Sequence, residues 1–179
     1  MRNFMAMMLG VGLMAAAWLA PAADEYGSRS DAGLTASVKT ALIRNKDTKA
    51  SQINVETEQG VVQLSGFVDS QQSRDAAETT AKNVAGVKEV QNKLMIRDAD
   101  RSTGQAADDI VIAAKVKGEI AGKAGLGTAA DVNVEVNSGV VELSGFVPRM
   151  DQKTKAGEVA RRVGGVKDVH NNIELKPQG

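Results

Sequence analysis

Gly60-Val61-Val62-Gln63-Leu64-Ser65-Gly66-Phe67-Val68 returns in the same chain as Gly139-Val140-Val141-Glu142-Leu143-Ser144-Gly145-Phe146-Val147. A nine-residue match with one substitution, 79 positions apart, is a duplication and not coincidence. The match runs outward at the same offset. Ile53-Asn54-Val55-Glu56 answers Val132-Asn133-Val134-Glu135, and Gly86-Val87-Lys88-Glu89-Val90-Gln91-Asn92 answers Gly165-Val166-Lys167-Asp168-Val169-His170-Asn171. Further upstream the offset falls to 78, pairing Val38-Lys39 with Val116-Lys117. The second copy therefore holds one extra residue near Gly125-Leu126-Gly127, where a loop absorbs it. A copy of about 65 residues buries only about 60% of its unfolded surface, so the two are expected to lean on each other.

Each copy reads as the same run of elements. Leu34, Val38, Ala41 and Leu42 recur at helical spacing, as do Ile112, Val116 and Ile120. Ile53, Val55 and Thr57 alternate like a half-buried strand, matched by Val132, Val134 and Val136. A glycine turn follows at Gln59-Gly60 and Ser138-Gly139. Return strands span 61–68 and 140–147. Ala77, Ala81 and Val84, like Ala156, Ala160 and Val163, mark a second helix whose small residues permit close approach to a sheet. Val90, Leu94 and Ile96, or Val169, Ile173 and Leu175, mark a last strand. The fold class is α+β: two tandem α-β-β-α-β two-layer modules at 34–97 and 110–176. Residues 23–33 read as an N-terminal linker, 98–109 as a solvated linker and 177–179 as a tail. On the return strand Val62, Leu64 and Val68 are expected to meet the helices, with Gly66 and Gly145 giving room on that side. Val61, Phe67, Val140 and Phe146 point the other way, as a patch for the sister module or for a partner.

The first 22 residues are expected to be a leader. Arg2 supplies a positive end, an apolar run covers 4–19, and Ala20-Pro21-Ala22 offers a cleavage site. A periplasmic location follows. The chain has no cysteine, so disulfides, thiolate metal sites and lipidation through Cys are excluded.

The motif Gly-Val-Val-x-Leu-Ser-Gly-Phe-Val, with a strand before it and a helix and Gly-Val-Lys-x-Val-x-Asn after it, resembles the BON domain family. Two copies behind a leader are similar to the osmotically inducible dual-BON periplasmic proteins. The resemblance implies an α-β-β-α-β fold, a place in the cell envelope, and association with phospholipid membranes under osmotic or envelope stress. It brings no catalytic activity. Some relatives are lipoproteins, and this chain departs from them in lacking the cysteine.

Chemistry-bearing motifs are sparse. His170 is the single histidine, and the first copy carries Gln91 in its place. Ser65 and Ser144 sit inside strands and read as structural. Asp98, Asp100, Asp108 and Asp109 lack the calcium-loop spacing and read as linker solvation. Neither a phosphate loop nor a zinc-binding helix motif occurs, so no metal, no cofactor and no enzyme activity is expected. Aromatic residues make up 3% and net charge is zero, which argues against nucleic acid as a partner.

The charge that stands out is local. Residues 149–162 carry Arg149, Lys153, Lys155, Arg161 and Arg162 against Asp151 and Glu158, while the matching stretch 70–83 is balanced. These five basic residues are the expected lipid-binding set, each able to contribute about 1 kcal/mol near an anionic surface. Lys115, Lys117 and Lys123 form a weaker second set. The expected partner is an anionic phospholipid surface. The alternative is exported polypeptides held, chaperone-like, by the patch around Phe67 and Phe146 or at open sheet edges.

Overall fold

The computed structural model describes residues 30–123 and 131–177. The expected leader and the insertion near Gly125-Leu126-Gly127 lie outside the described residues. The first module runs α1 (Asp31–Arg44), β1 (Asn54–Glu58), β2 (Val61–Ser65), β3 (Phe67–Val68), α2 (Gln71–Lys82), β4 (Glu89–Asn92) and β5 (Met95–Ile96). The second runs α3 (Thr103–Lys123), β6 (Asn133–Asn137), β7 (Val140–Val147), α4 (Met150–Arg161) and β8 (Asp168–Leu175). The α-β-β-α-β order is present in both, and a short 3-10 turn at Ala50–Gln52 leads into β1 in the first.

Local chemistry sets the elements. The Ser30 hydroxyl caps α1 by accepting from the Gly33 N–H at 3.3 Å, and Ser70 caps α2 from Ser73 N–H at 3.2 Å. Both hairpins place two consecutive residues at positive φ, Gln59 (51°) with Gly60 (84°) and Ser138 (52°) with Gly139 (83°). That pair of angles defines a type I′ turn, whose twist suits two-residue hairpins. β1 then pairs antiparallel with β2, and β6 with β7. The chain crosses over through α2 or α4 and returns parallel, giving strand orders β1-β2-β4 and β6-β7-β8. In the first module the return strand breaks at Gly66, but Lys93 N–H to Leu64 O (2.8 Å) and Met95 N–H to Gly66 O (2.9 Å) carry the parallel ladder across.

Gly66 (φ 118°) and Gly145 (φ 119°) do admit a close neighbour, but it is not a helix. A Cβ at either would lie 2.3 Å from a backbone oxygen, Gln52 O or Asp131 O, at the entrance to the antiparallel partner strand. Each module keeps its own core on the helix side: Leu34, Val38, Leu42, Val55, Leu64 and Ala81 in one, Ile112, Val116, Ile120, Val134, Leu143 and Ile173 in the other. The last strands leave that core early. Ile96 is 51% exposed and Leu175 38% exposed, so neither belongs to the buried row expected of them.

The linker expectation also needs correction. α3 begins at Thr103 and takes in most of the segment read as solvated linker. Asp109 is 3% exposed and accepts from Ser138 N–H and Gly139 N–H, both at 2.8 Å. It thereby pins the β6–β7 hairpin to α3, as Asp31 pins Gln59 and Gly60 (2.8 and 2.9 Å) in the first module. Arg101 adds an ion pair to Asp109 at 2.9 Å. Asp98 is tied as well, its N–H donating to Asn137 Oδ1 at 2.9 Å.

The two sheets meet through the faces that point away from the helices. Ser65 Oγ and Ser144 Oγ are 2.7 Å apart at the centre of this contact. On either side Gly66 N–H donates to Glu142 Oε2 and Gly145 N–H to Gln63 Oε1, each at 2.7 Å. Farther out Asn54 donates to Glu135 (3.0 Å) and Asn133 to Glu56 (2.9 Å). Equivalent residues exchange equivalent bonds, so the modules are related by a pseudo-two-fold axis through the serine pair.

Candidate functional site

The basic set of the second module surrounds α4. Its buried side consists of Gln152, Ala156, Gly157, Val159 and Ala160, which turns Lys155 and Arg161 outward. Arg149 stands at the N-cap and is paired with Asp151 at 2.9 Å, so part of its charge is spent locally. Lys153 is half-buried, its backbone oxygen accepting from Asn171 Nδ2 at 2.7 Å. Arg162 closes the helix as its C-cap, where a cation also complements the helix dipole.

Arg162 is the member that the fold combines with the other helix. α3 packs beside α4, and between them lies a groove of about 620 Å³. Lys115, Lys123 and Arg162 line it with Val159 and Val163, and Glu119 pairs with Lys123. A second hollow of about 280 Å³ shares Lys115 and Gly164 with the first and adds Val111 and Lys167, with Asp108 opposing them. Four cations thus rim a partly apolar trough at one end of the helical layer. Arg149, Lys153, Lys155, Arg161 and Lys117 are not part of it.

The expected partner patch is closed in this arrangement. Phe67 is 8% exposed and Phe146 7%, while Val61 and Val140 are half-buried. Phe67 lies against a hollow of about 120 Å³ shared with Glu135, Val136 and Asn137 of β6. The sister module covers the face on which such a patch would have to present itself.

The same contact holds an ionisable group that sequence reasoning did not single out. Glu142 is 1% exposed. Burial pushes its carboxyl up to about 7; the Gly66 N–H and the Asn172 amide, donating at 2.7 and 3.1 Å, oppose this, and nearby Glu135 reinforces it. Its counterpart Gln63 is neutral and donates from Nε2 to Asn172 O at 2.9 Å. A signal was available, since Gln63/Glu142 is the one position at which the nine-residue repeat differs.

His170 is exposed on the edge strand β8, with Nε2 3.3 Å from Asp168. No group of three or more His, Cys, Asp or Glu among the described residues could hold a metal ion. No described helix is long and apolar enough to cross a membrane.

The BON domain model matches residues 30–98 and 108–177. This chain belongs to the BON domain family. It is 38% identical over 147 residues to osmotically-inducible protein Y of Escherichia coli K12, covering 82% of this chain and 73% of the relative. It is 32% identical over 140 residues to the outer membrane lipoprotein DolP of Haemophilus influenzae, covering 78% and 71%. Among solved structures it is similar to CdsD, a structural protein of the type III secretion system of Chlamydia trachomatis. That likeness has 18% identity and a TM-score of 0.34 over 84% of this chain and 65% of CdsD, too loose to carry an argument. The BON pattern therefore accounts for both modules, and the duplicated motif is its architectural signature.

Proposed function

We propose that this BON protein is a non-enzymatic component of the cell envelope that associates peripherally with anionic phospholipid surfaces under osmotic or envelope stress. The observation that carries the reading is the trough in which Lys115, Lys123 and Arg162 rim a floor of Val159 and Val163. Cations on long apolar stems over a shallow apolar floor suit a phosphate headgroup with the start of its acyl chains. The relatives' names, osmotically inducible protein and outer membrane lipoprotein, agree with an envelope role. A periplasmic location rests on the leader-like N-terminus. The outward residues Lys155 and Arg161 extend the positive surface beyond the trough.

Such binding is electrostatic and shallow, because neither module holds a Trp or Tyr to seat at a bilayer interface. Flotation of the protein with vesicles tests it. Binding to anionic vesicles but not to neutral ones is the expected result. Equal binding to both, or to neither, contradicts the proposal. The chaperone-like alternative through the Phe67 and Phe146 patch would need that face uncovered, where the sister module lies; through a sheet edge it would not.

A further inference from the structure

The contact between the modules is unusual in what holds it. The two hydrophobic cores share no residue. The centre of the contact is a set of side-chain hydrogen bonds, the Ser65–Ser144 pair, the Gln63 and Glu142 bonds to glycine amides and the two Asn–Glu pairs outside them, flanked by the buried Phe67 and Phe146 and the ion pairs Lys93–Glu174 and Lys176–Glu58. Each such hydrogen bond has a modest net value, because it replaces a bond to water. A carboxylic acid sits in the middle of that set, out of water, on a backbone N–H of the other module.

We propose that the two modules part reversibly as pH rises through neutrality, with Glu142 as the trigger and each module remaining folded. Charged Glu142 has no cation within ion-pair distance among the described residues. From the break between β2 and β3 and from β8 it faces only the neutral Gly66 N–H and Asn172 amide. On β6, Glu135 repels it. On β1, Glu56 is engaged by Asn133 and Glu58 by Lys176 at 3.8 Å. His170, its register neighbour on β8, lies beside Asp168, and Lys93 is paired with Glu174 at 3.2 Å. None of these compensates a buried negative charge, so ionisation favours any state that returns Glu142 to water. The protonated form is accommodated when the Asn172 side chain turns over and offers its oxygen to the new O–H. The pseudo-symmetry shows the cost to be local, because Gln63 makes the matching bond to Gly145 with no charge at all.

The sign follows from linkage. A carboxyl whose folded pKa is raised from 4.5 to about 7 favours the closed state fully below pH 4.5 and loses that contribution as pH climbs through about 7. Between pH 5.5 and 8 this shift changes the open-to-closed ratio by at most roughly 30-fold.

Amide hydrogen exchange by NMR on the full-length protein reads this directly. Gly66 and Gly145 N–H are held by the contact, whereas Val62 and Val141 lie in the separate cores. Protection at Gly66 and Gly145 is expected to fall together by roughly tenfold to thirtyfold from pH 5.5 to 8, and at every pH to lie well below that at Val62 and Val141, which exchange only on unfolding. In Glu142→Gln that fall disappears. In Gln63→Glu, which sets a second carboxyl against Gly145, it becomes larger. Constant protection across the range overturns the proposal. So does protection at the two glycines as high as that at the core amides, which is unfolding and not opening, or a pH response that survives in Glu142→Gln.

Discussion

Asp31 and Asp109 perform the same task at equivalent positions, but in different surroundings. Each accepts two backbone N–H groups from a type I′ hairpin and so fixes the first strand pair to the first helix. Asp109 is buried and also holds Arg101; among the described residues no arginine pairs with Asp31. Replacing Asp109 by Ala leaves the buried Gly139 N–H and the part-buried Ser138 N–H unanswered and takes the carboxylate from Arg101, which keeps only the Ala106 oxygen. A loss of about 2–4 kcal/mol in urea unfolding is expected, against about 1 kcal/mol for Asp31→Ala. Gly66 and Gly145 are the other intolerant positions. Alanine at either combines φ near 118° with a Cβ 2.3 Å from a carbonyl oxygen. Each change should cost at least about 2 kcal/mol by the same measurement. A milder effect would mean that the strand shifts to release the contact.

At the scale of elements, hydrophobic periodicity made most of the fold legible. Leu34, Val38 and Leu42, and Ile112, Val116 and Ile120, are the buried stripes of α1 and α3 as spacing indicated. The start of α3 was hidden because Thr103 to Asp109 is polar apart from two alanines and a glycine. Its one buried residue there is an aspartate whose partners come from a distant hairpin. Ile96 and Leu175 were misplaced because strand alternation continues past the point where the helices stop covering the sheet. The basic trough was half legible. Charge counting found the cations of α4 and α3 separately, but their meeting at Lys115, Lys123 and Arg162 is a product of helix packing. The trough and the outer α4 surface can be told apart by variants. Lys115→Gln, Lys123→Gln and Arg162→Gln together should weaken binding to anionic vesicles about tenfold or more. Changing Arg149 and Lys153 should have little effect, since one is paired with Asp151 and the other is half-buried.

At the scale of the whole molecule, duplication places one sheet against the other while each module keeps its own core. Alternation put Val61, Phe67, Val140 and Phe146 on the outer face, yet it could not say that Gln63, Ser65, Glu142 and Ser144 on that face would bond across the axis. Those bonds depend on how two surfaces meet, which no local pattern encodes. The consequence is a stability profile bounded on both sides. Below the ordinary carboxylate range the protein loses the contributions of Asp69 and Glu78, whose pKa values are held down chiefly by hydrogen bonds from Lys49 and Lys82. Between about pH 4.5 and 7 it loses that of Glu142, worth up to about 3 kcal/mol. Unfolding in urea should therefore be hardest near pH 4.5–5, and Glu142→Gln should flatten the alkaline side alone.

With the sheets occupied by each other, the helical layers are what the molecule presents outward, and the second module's carries the charge. Vesicle co-sedimentation across a salt titration tests this claim most directly. As the Debye length shrinks from about 30 Å at 0.01 M to about 3 Å at 1 M, binding to anionic vesicles should fall away, and the Lys115, Lys123 and Arg162 triple variant should already be weak at low salt. Binding that ignores salt, or a triple variant that binds like the parent protein, would contradict it.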